Sequence, residues 1–134
     1  MSFEVFVQCY GKTEQSGLSR DRVRALFPVS KEETEFNRWV IRYSDADWFD
    51  IYASAQGEPL RHFMVSRPTG NKQLWEALLA VLQMGEVVMF WPGSPPMIAS
   101  TSSPGNLPED MVKSLGEPVL ISRAEQFFEL LKPS

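Results

Sequence analysis

Residues 71–93 constrain the fold most, because a helical pattern there runs directly into a strand pattern. Leu74, Leu78 and Leu82 recur every fourth residue, and this spacing places a broad apolar stripe along one helix. Polar side chains become rare after Ala77, so the second half of the helix is expected to be buried on more than one side.

The helix is predicted over 71–84 and the strand over 87–91. Asn71 can cap the helix with its side-chain oxygen, and Gly85 can end it, since glycine adopts the left-handed C-cap conformation without steric cost. The strand, Val-Val-Met-Phe-Trp, does not alternate, which indicates a central strand covered on both faces. A membrane span is rejected, because polar residues interrupt the apolar run well before the roughly 20 residues that a bilayer requires.

The composition is that of one mildly acidic domain. The chain has 134 residues, of which 43% are hydrophobic, and this is enough apolar material for one core. The formal net charge of −4 argues against nucleic acid as the main partner, since phosphate binding requires a basic patch. The same acidity is compatible with a basic protein partner.

Cys9 is the only cysteine, so we expect no internal disulfide. The sequence contains no Cys/His cluster that could bind zinc, so neither a metal nor another cofactor is expected. Cys9 lies in a predicted strand without a basic neighbour in sequence, which favours a structural thiol over a nucleophile. The N-terminus has no basic stretch before a long apolar segment, so no signal peptide is predicted and the cytoplasm is the expected location.

Further strands are predicted by alternating apolar residues at 3–10, 38–43, 49–53 and 60–66. The short turns between the last three strands favour an antiparallel meander. The segment 30–37 is expected to be a charged loop. A long Gly-, Pro- and Ser-rich loop is expected after the central strand, with a short edge strand at Met97–Ala99.

A capping box predicts the last helix, over 123–132, because Ser122 and Glu125 can each satisfy the other's backbone amide. Together these patterns predict a single α+β domain over 1–134. Its mainly antiparallel sheet, of about five or six strands, is packed by the central helix (71–84) and the C-terminal helix (123–132).

The meander also predicts a shared polar surface. If its apolar residues point inward, Arg42, Trp48, Asp50 and Tyr52 lie together on the opposite face, with Arg42 near Asp50. His62 joins this face if the fourth strand points its own apolar residues inward.

This surface has three interpretations. As an active site, it uses His62 as acid or base and Asp50 to orient it. As a solvated face, it holds one cross-strand ion pair worth about 0.2–1 kcal/mol. As a protein-binding patch, it presents aromatic residues beside charges. The solvated face is favoured over catalysis, because a register slip of one residue destroys the arrangement, and the binding patch ranks between the two.

Three other features suggest sites less strongly. The acidic segment 45–50 resembles a calcium loop, but Asp50 and Gln56 stand where glycine and glutamate are required, so a hairpin turn is expected. The turn 92–96 follows a central strand, where ligands often bind, but it lacks the glycines and lysine of a phosphate loop. Arg67 could bind an anion at the start of the main helix or remain solvated, and solvation is the simpler interpretation.

Several segments resemble those of a family of small uncharacterised bacterial proteins: Val65–Pro68, Leu74–Leu78, Gly85–Gly93, Leu107–Pro108 and Pro118–Ser122. The resemblance covers most of the chain and brings no catalytic motif, so it implies no site residue. In being small, acidic and α+β, the chain is also similar to bacterial immunity proteins that neutralise toxins, and this similarity is an analogy of fold.

The leading hypothesis is a non-enzymatic cytosolic protein-binding module, of immunity type, whose acidic loops meet a basic partner. The candidate binding residues are Arg42, Trp48, Asp50, Tyr52, His62 and Arg67. Neither nucleic acid nor a membrane is expected as a partner, and a homodimer could form by pairing of the Met97–Ala99 edge or the first strand. The alternative is a small hydrolase or ligand-binding enzyme that uses Asp50 and His62, with Arg42 or Arg67 for an anionic substrate.

Overall fold

An open, mainly antiparallel sheet forms the centre of the computed structural model, which describes residues 3–11, 17–53, 60–102 and 104–131. The strands are β1 (Glu4–Cys9), β2 (Val29–Glu33), β3 (Arg38–Ser44), β4 (Asp47–Ala53), β5 (His62–Ser66), β6 (Val87–Phe90), β7 (Met97–Ala99) and β8 (Val119–Ile121). The α-helices are α1 (Arg20–Arg24), α2 (Lys72–Leu82), α3 (Glu109–Leu115) and α4 (Glu125–Leu131). Short 3₁₀-helices lie at Thr34–Phe36 and Pro104–Asn106.

The strand order is β2-β3-β4-β5-β1-β6-β7-β8, and β7–β8 is the parallel pair. The α+β prediction and the antiparallel meander of β3, β4 and β5 are confirmed. The described part of the chain has eight strands, more than the five or six expected. The two strands expected to offer a free edge, β1 and β7, each have neighbours on both sides, so a homodimer cannot form by pairing them.

One face of the sheet, the core face, packs against α2 and α4. Helix α2 buries Leu74, Leu78 and Leu82 completely or nearly so, which confirms the predicted apolar stripe. Trp75 joins the two helices, because its ring lies 5.6 Å from Phe127 of α4, measured between centroids. Apolar burial of this kind contributes about 25 cal/mol per Å², so this layer supplies much of the stability of the domain.

Strand β6 is buried on both faces, as the unbroken apolar run predicted. Met89 belongs to the core face, whereas Val88 packs with Ile98 and Leu107 on the other side, beneath α3. Helix α3 therefore covers the second face over β6 and β7. Over β1 to β5, and at Phe90 of β6, most side chains of the second face are exposed or half-buried, and we name this area the open face. None of the described helices has the length and apolar character needed to cross a bilayer.

The charged loop predicted at 30–37 is wrong, because most of it forms β2 and a 3₁₀-helix. An edge strand has a neighbour on one side alone and can form without alternating apolar residues. The charged sequence of β2 therefore did not show the pattern by which a strand is predicted. Its polar side chains still make specific contacts: Glu32 Oε1 accepts a hydrogen bond from Trp39 Nε1 at 3.0 Å. The predicted edge strand at Met97–Ala99 is an interior strand, since β8 pairs beyond it.

The start of α2 agrees with the prediction and its end does not. Asn71 Oδ1 accepts a hydrogen bond from Gln73 N at 2.8 Å, which is the expected cap. The helix ends at Leu82, and its C-cap, Gln83, keeps a right-handed conformation. Gly85 lies in the following turn, where its carbonyl accepts from Val87 N, so it does not end the helix.

Gln126, and not Glu125, caps the last helix. Gln126 Oε1 accepts hydrogen bonds from Ser122 N at 2.7 Å and from Arg123 N at 3.0 Å. Glu125 instead forms an ion pair with Lys72 at 3.3 Å and so connects α4 to α2. The predicted helix over 123–132 is observed as α4, and residue 132 lies outside the described residues.

Candidate functional site

The strand register brings the predicted polar residues onto the open face. Arg42 lies opposite Trp48 in the β3–β4 pair, and Tyr52 lies opposite Met64 in the β4–β5 pair. Asp50, between Trp48 and Tyr52 in the alternation of β4, faces the same way. The core-facing residues of these strands point to the other side, as the alternation of apolar residues required.

Asp50 is the centre of a charged cluster on this face. Its side chain is only 4% exposed. Oδ1 accepts hydrogen bonds from Arg38 Nε at 3.0 Å and Nη2 at 2.9 Å, and Oδ2 accepts from Arg67 Nη2 at 2.9 Å. Arg38 also reaches Glu33, at 2.6 Å. We name Glu33, Arg38, Asp50 and Arg67 the charge cluster, in which two carboxylates neutralise two guanidinium groups.

The electrostatics of Arg38 follow from this arrangement. Hydrogen bonding to Asp50 is the main cause that raises the pKa of Arg38, and the nearby charges of Asp50 and Glu33 act in the same direction. Arg38 was not among the predicted site residues. It alternates with Arg42 on the same strand, so the criterion that selected Arg42 also applied to Arg38.

Arg67 has a left-handed backbone, with φ of 57°, directly before Pro68. This conformation costs a residue with a Cβ atom about 1–3 kcal/mol unless the surroundings hold it. The guanidinium carbon lies 4.6 Å from the centroid of the Trp48 ring, a cation–π contact, while Nη2 binds Asp50. Arg67 therefore binds a carboxylate of the chain itself, on the open face, while its side chain remains 51% exposed, so neither full solvation nor the alternative of an anion at the start of α2 describes it.

Two predicted contacts of Asp50 do not form. Arg42 Nη1 lies 3.3 Å from Asp45 Oδ1 in the exposed turn, so Arg42 is not the partner of Asp50. His62 is exposed on the same face but pairs with Gln8, four positions along β5 from Ser66, the residue opposite Asp50. At about 3.3 Å per residue this separation is roughly 13 Å. Asp50 cannot orient His62, and the proposed acid–base pair is wrong.

Apolar side chains occupy the middle of the open face. We name Phe6, Tyr52, Met64 and Phe90 the aromatic strip. Phe6 stacks on Phe90 with centroids 5.5 Å apart, and Met64 lies between Phe6 and Tyr52 as the strand neighbour of both. Together with Gln8 and His62, three of these residues line a concavity of about 300 Å³. This shallow concavity beside the aromatic strip has room for one apolar side chain.

A second concavity, of about 590 Å³, lies on the core side of the sheet, where α2 meets the ends of α1 and β3. Small residues of α2, Ala77 and Ala80, leave the space, and Tyr43 lines it. The Tyr43 hydroxyl and Asp47 Oδ1 are buried and make no hydrogen bond within the described residues. The other oxygen of Asp47 accepts from Asn71 Nδ2 at 2.7 Å, which ties the β3–β4 hairpin to the start of α2.

Tyr43 gives a pH-dependent prediction. Burial, with a smaller effect of Asp47, raises the pKa of Tyr43 from 10.0 to about 12. The unfolded chain loses this proton near pH 10 and the folded protein only near pH 12, so the contribution of Tyr43 to stability is complete below pH 10 and is lost as the pH rises through 12. We expect Tyr43→Phe to reduce the fall in stability between these values, as measured by urea unfolding at several pH values. An unchanged pH dependence in the variant contradicts this role.

Three further sequence candidates have structural explanations. Residues 45–46 form the hairpin turn between β3 and β4, as expected in place of a calcium loop. In the turn 92–96, Ser94 Oγ accepts from Trp91 N at 2.8 Å and donates to Pro95 O, so this loop is closed by its own hydrogen bonds. Burial raises the pKa of the Cys9 thiol, which agrees with a structural role.

Metal binding finds no geometric basis in the described ranges, because no three His, Cys, Asp or Glu side chains there converge on a point that could hold an ion. No protein-family model, no curated protein sequence and no solved structure matches this chain.

Proposed function

We propose that this protein is a non-enzymatic protein-binding module that uses the open face of its sheet. The aromatic strip carries the proposal: a row of apolar side chains, of which Tyr52 is 36% exposed, crosses a sheet face beside charged residues. Aromatic residues next to arginines are the composition enriched at protein interfaces. The cytoplasmic location expected from the sequence is part of this proposal.

The immunity-type role is the specific form of the proposal and rests on the resemblance described above. The charge distribution gives it some support, because residues 104–131 contain five acidic and two basic side chains, a net charge of −3. Such an excess of acidic residues attracts a basic protein at long range and speeds association. A toxin partner of that kind would then contact the open face.

The enzymatic alternative has no support from the geometry. Both oxygens of Asp50 are occupied by Arg38 and Arg67, and His62 lies roughly 13 Å away along the strands. A general acid–base pair needs the two side chains within hydrogen-bond reach of each other or of one substrate.

Tyr52→Asp tests the proposal, because a charge in the middle of the aromatic strip opposes burial in an interface. The wild-type chain and the variant are used to recover partners from the host of the gene, and each stoichiometric partner is then purified. We expect the variant to bind that partner at least tenfold more weakly, as measured by calorimetry.

Phe36→Asp is the matched control, since Phe36 is 61% exposed and lies outside the aromatic strip. The control is expected to bind as the wild type does. Recovery of no stoichiometric partner, or equal losses for Tyr52→Asp and Phe36→Asp, would count against a binding function on the open face.

A further inference from the structure

On the open face, most positively charged side chains are more exposed than the negatively charged ones. The carboxylates of Glu33 and Asp50 have side chains that are 20% and 4% exposed, whereas the side chains of Lys31, Arg42 and Arg67 are 68%, 47% and 51% exposed. Among these five residues the positive groups therefore lie outside and the negative groups beneath them, while Asp45, the partner of Arg42 in the β3–β4 turn, is a fully exposed exception. Although the chain as a whole carries −4, this end of the open face presents cations to solvent.

These cations retain hydrogen-bonding capacity. Arg67 uses Nη2 for Asp50, and a guanidinium has five N–H donors, so others remain for a second carboxylate. Within the part of the chain that the structure describes, Arg42 pairs with Asp45, whose side chain is fully exposed, and exposed pairs of this kind are weak and easily replaced. The Trp48 ring lies beneath the guanidinium of Arg67, and Arg42 is the cross-strand neighbour of Trp48, so the two arginines are anchored close to the same residue.

The aromatic strip and these arginines lie at a defined spacing. Tyr52 and Trp48 are four residues apart on β4 and face the same way, which corresponds to roughly 13 Å along the strand. In an extended peptide, side chains at positions i and i+4 also point the same way with this separation. The concavity lies over β5 and β1 and is bordered by Tyr52, so an extended peptide that runs from beside Tyr52 toward Trp48 can place one side chain in the concavity and another at Arg42 and Arg67.

We infer that the open face binds an extended segment of a partner protein in which an apolar or aromatic residue is followed or preceded, four positions away, by aspartate or glutamate. This inference rests on the proposed function and specifies the partner for that face. The apolar residue occupies the concavity beside Tyr52 and Met64. The carboxylate binds Arg67 and Arg42 in place of Asp45, through charge-assisted hydrogen bonds.

A single-stranded nucleic acid is the competing occupant, since it also uses aromatic platforms beside cations. The charge cluster favours the peptide. Glu33 and Asp50 neutralise Arg38 and part of the charge of Arg67, so the remaining positive charge matches one or two carboxylates better than a continuous phosphate backbone.

Selection from a displayed library of random ten-residue peptides tests the inference, with the full chain as the target. We expect enrichment of peptides with an apolar residue and an acidic residue four positions apart. A synthetic peptide of the enriched sequence should lose at least tenfold in affinity when its acidic residue is changed to the amide. Arg42→Gln, which leaves Asp50 and its partners unchanged, should reduce that difference, whereas Arg22→Gln on the exposed side of α1 should not.

Each other outcome has a defined meaning. Enrichment of apolar peptides without acidic residues, or of basic peptides, overturns the inference and leaves the open face as a protein-binding surface. A lack of enrichment also overturns it, and the partner experiment with Tyr52→Asp then decides the proposed function separately. Binding of a ten-nucleotide oligothymidylate that is lost in Arg42→Gln, together with no selected peptide, identifies the nucleic acid as the occupant.

Discussion

Replacing Asp50 by asparagine is expected to lower the free energy of unfolding by about 3 kcal/mol, the lower end of the range for breaking a buried ion pair. The substitution keeps the shape of the side chain and removes the charge that three arginine N–H groups share. Arg38 keeps Glu33 and Arg67 can turn toward solvent, which is why the upper end of the range is not expected. Urea unfolding at neutral pH measures the loss.

Asp45→Asn is the matched control, because Asp45 is also an aspartate paired with an arginine but its side chain is fully exposed. No measurable change in stability is expected for it. A double-mutant cycle with Arg38→Gln adds a second criterion: the losses from Arg38→Gln and Asp50→Asn should not add, since the two side chains share hydrogen bonds. Additive losses, or a loss for Asp50→Asn as small as that for Asp45→Asn, would show that the charge cluster contributes little to the fold.

Trp75→Ala should have the largest effect of any single substitution in the core, about 3–5 kcal/mol. Trp75 is 1% exposed, and its ring lies within 6.0 Å of the rings of Trp91, Phe127 and Phe128. Its Nε1 also donates to the Thr69 carbonyl at 2.9 Å. Because domains of this size are stable by about 5–15 kcal/mol, the variant is expected to approach the limit of folding.

Two variants separate packing from hydrogen bonding at this position. Trp75→Phe keeps an aromatic ring and leaves the Thr69 carbonyl without its donor, so an intermediate loss is expected. Phe36→Ala removes a large aromatic side chain that is 61% exposed and should change stability by less than about 0.5 kcal/mol. Thermal unfolding of the three variants gives the order, and a loss for Phe36→Ala equal to that for Trp75→Ala would contradict the assignment of the core.

The sequence was most informative where one pattern extended over many residues. The leucine repeat of α2 and the unbroken apolar run of β6 predicted burial correctly, because both depend on the same side chains that form the core. Short edge strands were harder to recognise. Strand β2 is composed largely of charged residues, and its strand conformation depends on pairing with β3 rather than on its own composition.

On the open face, too, the sequence predicted which residues share a face but not which of them contact each other. Alternation predicted that Arg42, Trp48, Asp50 and Tyr52 share one face, since this depends only on the period of a strand. The partner of Asp50 could not be predicted in the same way. Arg38 and Arg42 are both diagonal neighbours of Asp50, and the contact that forms depends on side-chain conformation and on Arg67, which arrives from beyond β5.

The central position of β1 has a consequence for synthesis on the ribosome. This strand is made before the other described strands, yet its neighbours, β5 and β6, end at Ser66 and Phe90, so it has no complete partner until 66 of the 134 residues have been made. The meander of β3, β4 and β5 needs only local contacts and can form earlier. We expect pulse-labelled hydrogen exchange during refolding to protect the amides of β3 and β4 before those of β1. Until β6 emerges, the nascent chain exposes an apolar ribbon that chaperones can bind.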